Sequence, residues 1–370
     1  MNETLMTGRD RNGTADLLKG LAVLFMIQVH IMEQFASSEV YESVLGQVSM
    51  FLGGPACAPV FLAVMGYFLA SGNKPFLYYL KRGIFLFAGG ILLNIARSAN
   101  LLIKILNGSI EVDPWSFVFG VDILPLAGIS LVIIGMLRML FKTNGLLYLA
   151  SAVIIATVSP LVADPASSIQ YPASSILHPA STITALNYLR AFFTGTANWS
   201  YFPVFPWISY ILTGISFRHL LQNPRVAGIL KADHLLVYSA PAWVILMLTI
   251  QWASGITHTL EGPDGYYHHG FLFFAWVSLF MAAYVVLVQI LELNRGELPF
   301  LRLVKWTGRH VTLVYVIQWL IIGNLATNFY KSQGLFGYFG WFLGISAVSL
   351  ILSWLILKIW SDYIKPHYSE

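Results

Sequence analysis

The stretch Thr14-Ala-Asp-Leu-Leu-Lys-Gly-Leu-Ala-Val-Leu-Phe-Met-Ile-Gln-Val-His-Ile-Met-Glu-Gln-Phe35 decides how the chain is read. It is apolar and long enough to cross a bilayer, which takes about 20 residues. It nevertheless carries Asp16, Lys19, Gln28, His30, Glu33 and Gln34. A helix turns about 100° per residue, so Lys19 and His30 point the same way, about 16 Å apart along the axis. Asp16 and Glu33 fall on that face too, and Gln28 on the opposite one. Ionisable groups inside a span are costly and as a rule line a polar cavity. The alternative is a buried polar cluster that only holds helices together.

The rest of the chain agrees with a membrane setting. Of its 370 residues, 57% are hydrophobic and 10% charged, with a mean hydropathy of +0.70, against about 25% charged in soluble domains. The fold class expected is an all-α polytopic integral membrane protein forming one domain over residues 1–370. The net charge of +4 and pI near 9.0 reflect inward-facing Lys and Arg rather than nucleic-acid binding. The single cysteine, Cys57, is read as a packing residue, since no intrachain disulfide can form. Arg9 and Arg11 before an apolar run resemble a signal peptide, but the polar stripe and the spans that follow argue against cleavage.

Hydropathy predicts ten spans near 14–35, 47–71, 78–100, 117–141, 145–162, 201–220, 235–257, 271–292, 306–327 and 336–360. With the N-terminus inside, 17 of the 21 Lys and Arg fall on inner segments and 4 outside, namely Arg97, Lys104, Arg190 and Lys331. That asymmetry places both termini in the cytoplasm. The amphipathic piece 181–195 is expected either to dip into the membrane or to stay outside it.

Lys19 then lies at the cytoplasmic mouth, where Lys74, Lys81 and Arg82 can join it to grip a polyanion such as a nucleotide phosphate. Arg309 and His310 can join that mouth, His310 reading rather as an interfacial helix-end residue. Towards the outer side, Asn94 either lines the cavity or caps its helix. Asp122 is either a second acid–base group or a helix-start carboxylate stabilised by the dipole. The outer loop 163–200 contains His178, and Trp207 belongs to an aromatic run suited to an interface belt or to stacking on sugars. His258, Glu261, Asp264, His268 and His269 cluster in sequence without a recognised metal-ligand spacing, and no metal is expected. Asn107 and Asn198 open two glycosylation sequons.

The Lys19–His30 spacing resembles the Arg-x₁₀-His signature of acyltransferase family 3 proteins. Asp-Leu-Leu-Lys-Gly-Leu-Ala-Val-Leu (16–24), Pro-Val-Phe-Leu-Ala-Val-Met-Gly-Tyr (59–67) and Asp-Ile-Leu-Pro-Leu-Ala-Gly (122–128) are similar to the broader transmembrane acyltransferase superfamily. Phe-Pro-Trp (205–207) and Gly-Arg-His-Val-Thr-Leu-Val-Tyr (308–315) extend the match towards bacterial relatives of heparan-α-glucosaminide N-acetyltransferase. The resemblance implies an acyltransferase that moves an acyl group, acetyl above all, from cytoplasmic acyl-CoA (acetyl-CoA) to an outer glycan or lipid-linked saccharide. It also implies a multi-pass protein of the cell membrane, in contact with membrane lipid, with a homodimer left open. His30 would be the catalytic base, oriented by Glu33 and accompanied by Asp122. Lys19, Lys81 and Arg82 would hold the CoA phosphates, and Asn94, His178 and Trp207 the acceptor. Lys19 replaces the family's arginine, and Gln318 stands where many relatives have histidine, so no role is expected for it. No histidine occurs between His30 and His178, the region where the lysosomal branch keeps its working one. The rival class is a proton-coupled transporter or flippase using the same stripe, though no internal repeat of the kind such proteins carry is visible.

Overall fold

The computed structural model describes residues 12–364 except 73, 164–184, 195, 196, 198, 230, 231 and 260–264. The described residues are helical almost throughout, with two isolated β-bridges. Helix α1 (Gly13–Gln34) starts at Asn12, whose side chain accepts a hydrogen bond from Ala15 N and caps the first turn. After the short α2 (Ser38–Tyr41), the second span is split into α3 (Val44–Gly53) and α4 (Ala58–Leu69). The break falls beside Pro55 and Pro59, where a helix cannot continue but can restart. Then come α5 (Phe76–Arg97), α6 (Ala99–Leu106), α7 (Pro114–Val118), α8 (Ile123–Phe141) and α9 (Gly145–Val162). The second half holds α10 (Ala185–Ala191), α11 (Val204–Leu220), α12 (Pro224–Ile229), α13 (Ala232–Leu248) and α14 (Ile250–His258). It ends with α15 (Phe271–Arg295), α16 (Pro299–Arg309), α17 (Val311–Phe329) and α18 (Leu335–Ile359).

Among the described residues, eight helical segments are long and apolar enough to cross a membrane, α3 with α4 counting as one. A ninth arises if α13 and α14, which meet at a 62° bend, form one broken span. These eight or nine segments agree with the polytopic all-helical class expected from the sequence. Helix α11, with 17 residues, is about 26 Å long. Its outer part is replaced by non-helical chain that leads back to α10: Val204 and Phe205 donate their N–H groups to the carbonyls of Phe192 and Phe193. Seven-residue α10 cannot cross the membrane. Phe192, just past its end, packs on Phe87 of α5, ring centroids 5.3 Å apart, and Phe87 lies about 15 Å along α5 from Arg97. This segment thus dips towards the midplane.

Six helices touch in a closed circuit: α1 on α4, α4 on α11, α11 on α8, α8 on α5, α5 on α17, and α17 back on α1. One end of this ring carries Lys19, the other Arg97 and His30. The circuit is tightest where α4 crosses α11. A Cβ on Gly66 would strike the Ile211 carbonyl, and one on Gly214 the Ala63 carbonyl. Gly214→Val should therefore lower stability by about 1–3 kcal/mol through overpacking. Thermal melting in detergent checks this, with Gly344→Val on the open face of α18 as the silent control.

Candidate active site

His30 sits one turn before the end of α1 and is half-buried. Its ring lies against Trp319 of α17, centroids 3.9 Å apart and planes at 32°. The neighbouring Gln318 Oε1 stands 3.4 Å from His30 Nδ1. An amide oxygen can only accept, so this contact keeps the proton on Nδ1 and leaves the Nε2 lone pair available. Gln318 Nε2 is a buried donor with no partner among the described residues, which is costly to maintain unless something polar comes to meet it.

The same Trp319 ring carries the Arg97 guanidinium, 4.3 Å from its centroid. Arg97 Nη1 donates to Asp122 Oδ2 at 2.8 Å, in a pair whose side chains are 11% and 9% exposed. The other carboxylate oxygen accepts from Ile123 N at 2.6 Å and starts α8. Asp122 is thus both the helix-start carboxylate and a member of the charged cluster, and Tyr315 lies beside it. His30, Asp122 and Arg97 are near enough to act on one another electrostatically.

Glu33 requires a correction. It does not orient His30; its carboxylate accepts from Tyr267 Oη at 3.4 Å. Tyr267 belongs to the turn 266–268 before α15. Trp207 is also corrected: it is fully buried and donates Nε1–H to the Tyr267 carbonyl at 2.8 Å, so it props that turn and presents no surface for a sugar. His269 in the same segment contacts Tyr210 Oη at 2.7 Å through Nε2 and the Tyr266 carbonyl at 2.7 Å through Nδ1. Burial pushes His268 and His269 down to about 4, so both are neutral at pH 7 and hold the turn without charge. Glu261 and Asp264 of the same segment lie outside the described residues, as does His178. Asn94 is 1% exposed and donates to the carbonyls of Val118 and Gly120. It clamps the chain leading into Asp122 and does not line an open cavity.

At the other end, Lys19 pairs with Asp16 at 2.9 Å, and Asp16 also accepts from Arg309 Nε at 3.1 Å. Lys81 and Arg82 are exposed near the start of α5, with Arg82 donating to Tyr78 Oη. Two further cations gather here at the end of α4. Arg138 donates to the Leu69 and Gly72 carbonyls, and Arg218 to Tyr67 Oη. On the α1 face between Lys19 and His30, Val23 and Met26 are 1% and 6% exposed. That face is packed at mid-depth rather than grooved.

Residues the sequence reading passed over are therefore Arg97, Gln318, Trp319 and Tyr267. Gln318 did carry a signal, as a polar side chain inside a span. Arg97 read as a helix-end cation, and nothing local marks Tyr267.

A search among curated proteins returns no match. A family model, that of the heparan-alpha-glucosaminide N-acetyltransferase catalytic domain, matches residues 11–244. The match takes in α1 with Lys19 and His30, the Arg97–Asp122 pair and the α4–α11 crossing, and stops before Tyr267 and α17. Of the resemblances seen in the sequence, it is the one with this branch that the comparison supports. With those residues inside the matched region, the chain belongs to the heparan-alpha-glucosaminide N-acetyltransferase catalytic family.

Proposed function

We propose that this multi-pass protein transfers acetyl from acetyl-CoA, bound at the Lys19 end, to an amine or hydroxyl of a glycan arriving at the Arg97 end. The observation that carries the reading is His30 held through Nδ1 by Gln318, with Nε2 left as a base on a half-buried ring. The acceptor gives its N–H or O–H proton to Nε2 while its lone pair forms the new bond to the thioester carbonyl carbon. The C–S bond then breaks, and the imidazolium returns the proton to the departing CoA thiolate. A positioned base of this kind contributes about 10²–10⁴-fold. The unpartnered Gln318 Nε2–H is available to the oxyanion that develops on the carbonyl. Lys19, with Lys81, Arg82 and the cations around the end of α4, supplies positive charge for the CoA phosphates. The positive-inside asymmetry makes that end cytoplasmic.

Gln318→Leu should lower the acetyl-transfer rate about 10²-fold, the scale of one lost oxyanion donor, without a matching rise in KM for acetyl-CoA. Steady-state kinetics in detergent with glucosamine as acceptor reads both constants.

For donor and acceptor to meet at His30, the acyl arm has to displace Met26. An unbranched thioether side chain is the easiest to move. Met26→Trp should therefore cut acetyl-CoA turnover at least tenfold, whereas Met26→Ala should leave it within about threefold. Equal turnover in all three proteins would remove this route from the account.

A further inference from the structure

On the outer flank of the ring, α5, α8 and α10 enclose a groove of about 550 Å³, within the range of small-molecule sites. Ile84, Phe87, Phe119, Val132, Leu189 and Phe193 are among its walls. Its floor exists because α5 and α8 approach closely at two glycines. A Cβ on Gly83 would come within 2.7 Å of the Gly128 carbonyl, and one on Gly128 within 2.7 Å of the Gly83 carbonyl. The dipping segment makes the opposite wall. It is pinned by Tyr188, whose hydroxyl donates to Asp113 at 2.6 Å, and by the Phe192 ring on Phe87.

The depth of the groove is readable from helix geometry. Ile84 is thirteen residues before Arg97 on α5, about 20 Å, and Val132 is ten residues after Asp122 on α8, about 15 Å. Half the hydrocarbon thickness of a bilayer is about 15 Å. The groove thus runs from near the level of the Arg97–Asp122 pair at least the depth of one leaflet, its lower end at Ile84 lying just past the midplane. Phe119, at its upper end, is three residues from Asp122, and exposed Trp115 stacks on Phe119 at 6.0 Å. Ile84 and Leu189 are 59% and 58% exposed, so the groove is open sideways to lipid.

We infer that the groove holds the hydrocarbon tail of a lipid-borne acceptor, so that the sugar is delivered to the Arg97–His30 end of the ring on a membrane anchor. A polar occupant would leave its hydrogen-bonding groups unmet between these walls. A chain of one-leaflet length matches both the depth and the lateral opening. The upper end of the groove, three residues from the Asp122 cluster, selects the acceptor's tail over that of a bulk phospholipid. The tail is out of water both in the bilayer and in the groove, so burial gives no preference between them and shape and head-group position must supply it. This assignment rests on the acetyltransferase reading for its chemistry, though the groove can be tested without it.

The test has two arms, both on full-length protein in nanodiscs. In the first, polyprenyl-phosphate-linked glucosamine and free glucosamine are compared as acetyl acceptors for wild type, Ile84→Trp and Leu189→Trp. Both substitutions fill the groove from exposed positions and touch none of the charged cluster. The expected result is a KM at least tenfold lower for the lipid-linked sugar in wild type, lost in both variants, with the free-sugar rate unchanged. Variants that keep the full preference, or a wild type with no preference, would overturn the proposal. In the second arm a diazirine placed in the polyprenyl tail is photolysed and the labelled residues are mapped. Labelling of α5, α8 and α10 that unlabelled polyprenyl sugar competes away, and phosphatidylcholine does not, supports the assignment. Equal competition by phosphatidylcholine makes it a bulk-lipid groove and overturns it. Because labelling needs no turnover, a protein that acetylates neither sugar yet labels specifically would refute the enzyme reading alone.

Discussion

His30→Gln should lower acetyl transfer from acetyl-CoA about 10²–10⁴-fold, the contribution of a positioned general base, while leaving KM for acetyl-CoA within about twofold. Glutamine fills much of the same volume and can still hydrogen-bond to Gln318, so the helix contacts survive. What it lacks is a lone pair basic enough to take the acceptor's proton. The His30–Trp319 ring contact is lost as well, which costs about 0.5–1.5 kcal/mol of stability and lowers the melting temperature by a few degrees at most. A variant that keeps its fold and loses its rate places the imidazole in the chemistry. One that loses fold and rate together makes it a packing residue.

The second large effect is expected at Arg97 and Asp122. Their 2.8 Å pair is almost withdrawn from solvent, and removing one partner leaves the other as an uncompensated charge, which costs about 3–5 kcal/mol. Arg97→Met strands the Asp122 carboxylate with the Ile123 N–H and the neighbouring Tyr315 but no counter-charge. Asp122→Asn strands the guanidinium, but that group keeps the Trp319 face, so the second loss should be the smaller. The double variant Arg97→Met/Asp122→Asn should be less destabilised than the sum of the two, by about 0.5–3 kcal/mol. Thermal unfolding of the four proteins in one detergent closes the cycle. Strict additivity would mean that the two side chains do not act as a pair.

Much of the architecture was legible because it depends on one-dimensional rules. The apolar runs and the stripe that puts Lys19 and His30 on one face follow from hydropathy and the helical period. Where the reading failed, the determining contact is between elements far apart in the chain. Glu33 is three residues from His30 and so looked like its partner. The ring instead meets Gln318, 288 positions away, and the carboxylate meets Tyr267, 234 away. No periodicity reports such pairings. Trp207 was misread for a related reason. An aromatic near a span end serves an interface or a core equally well, and only packing against Tyr210, Tyr266 and His269 decides for the core.

The proposed reaction requires its two substrates to enter from opposite ends of the helix ring. The most direct measurement uses sealed proteoliposomes with the protein in one known orientation, acetyl-CoA on one side and amino-sugar acceptor on the other. Acetylated product should form when acetyl-CoA is on the Lys19 side and the acceptor on the Arg97 side, and should fall to background with His30→Gln. Product that forms only when both substrates share one compartment, or that forms at full rate without the imidazole, would contradict it.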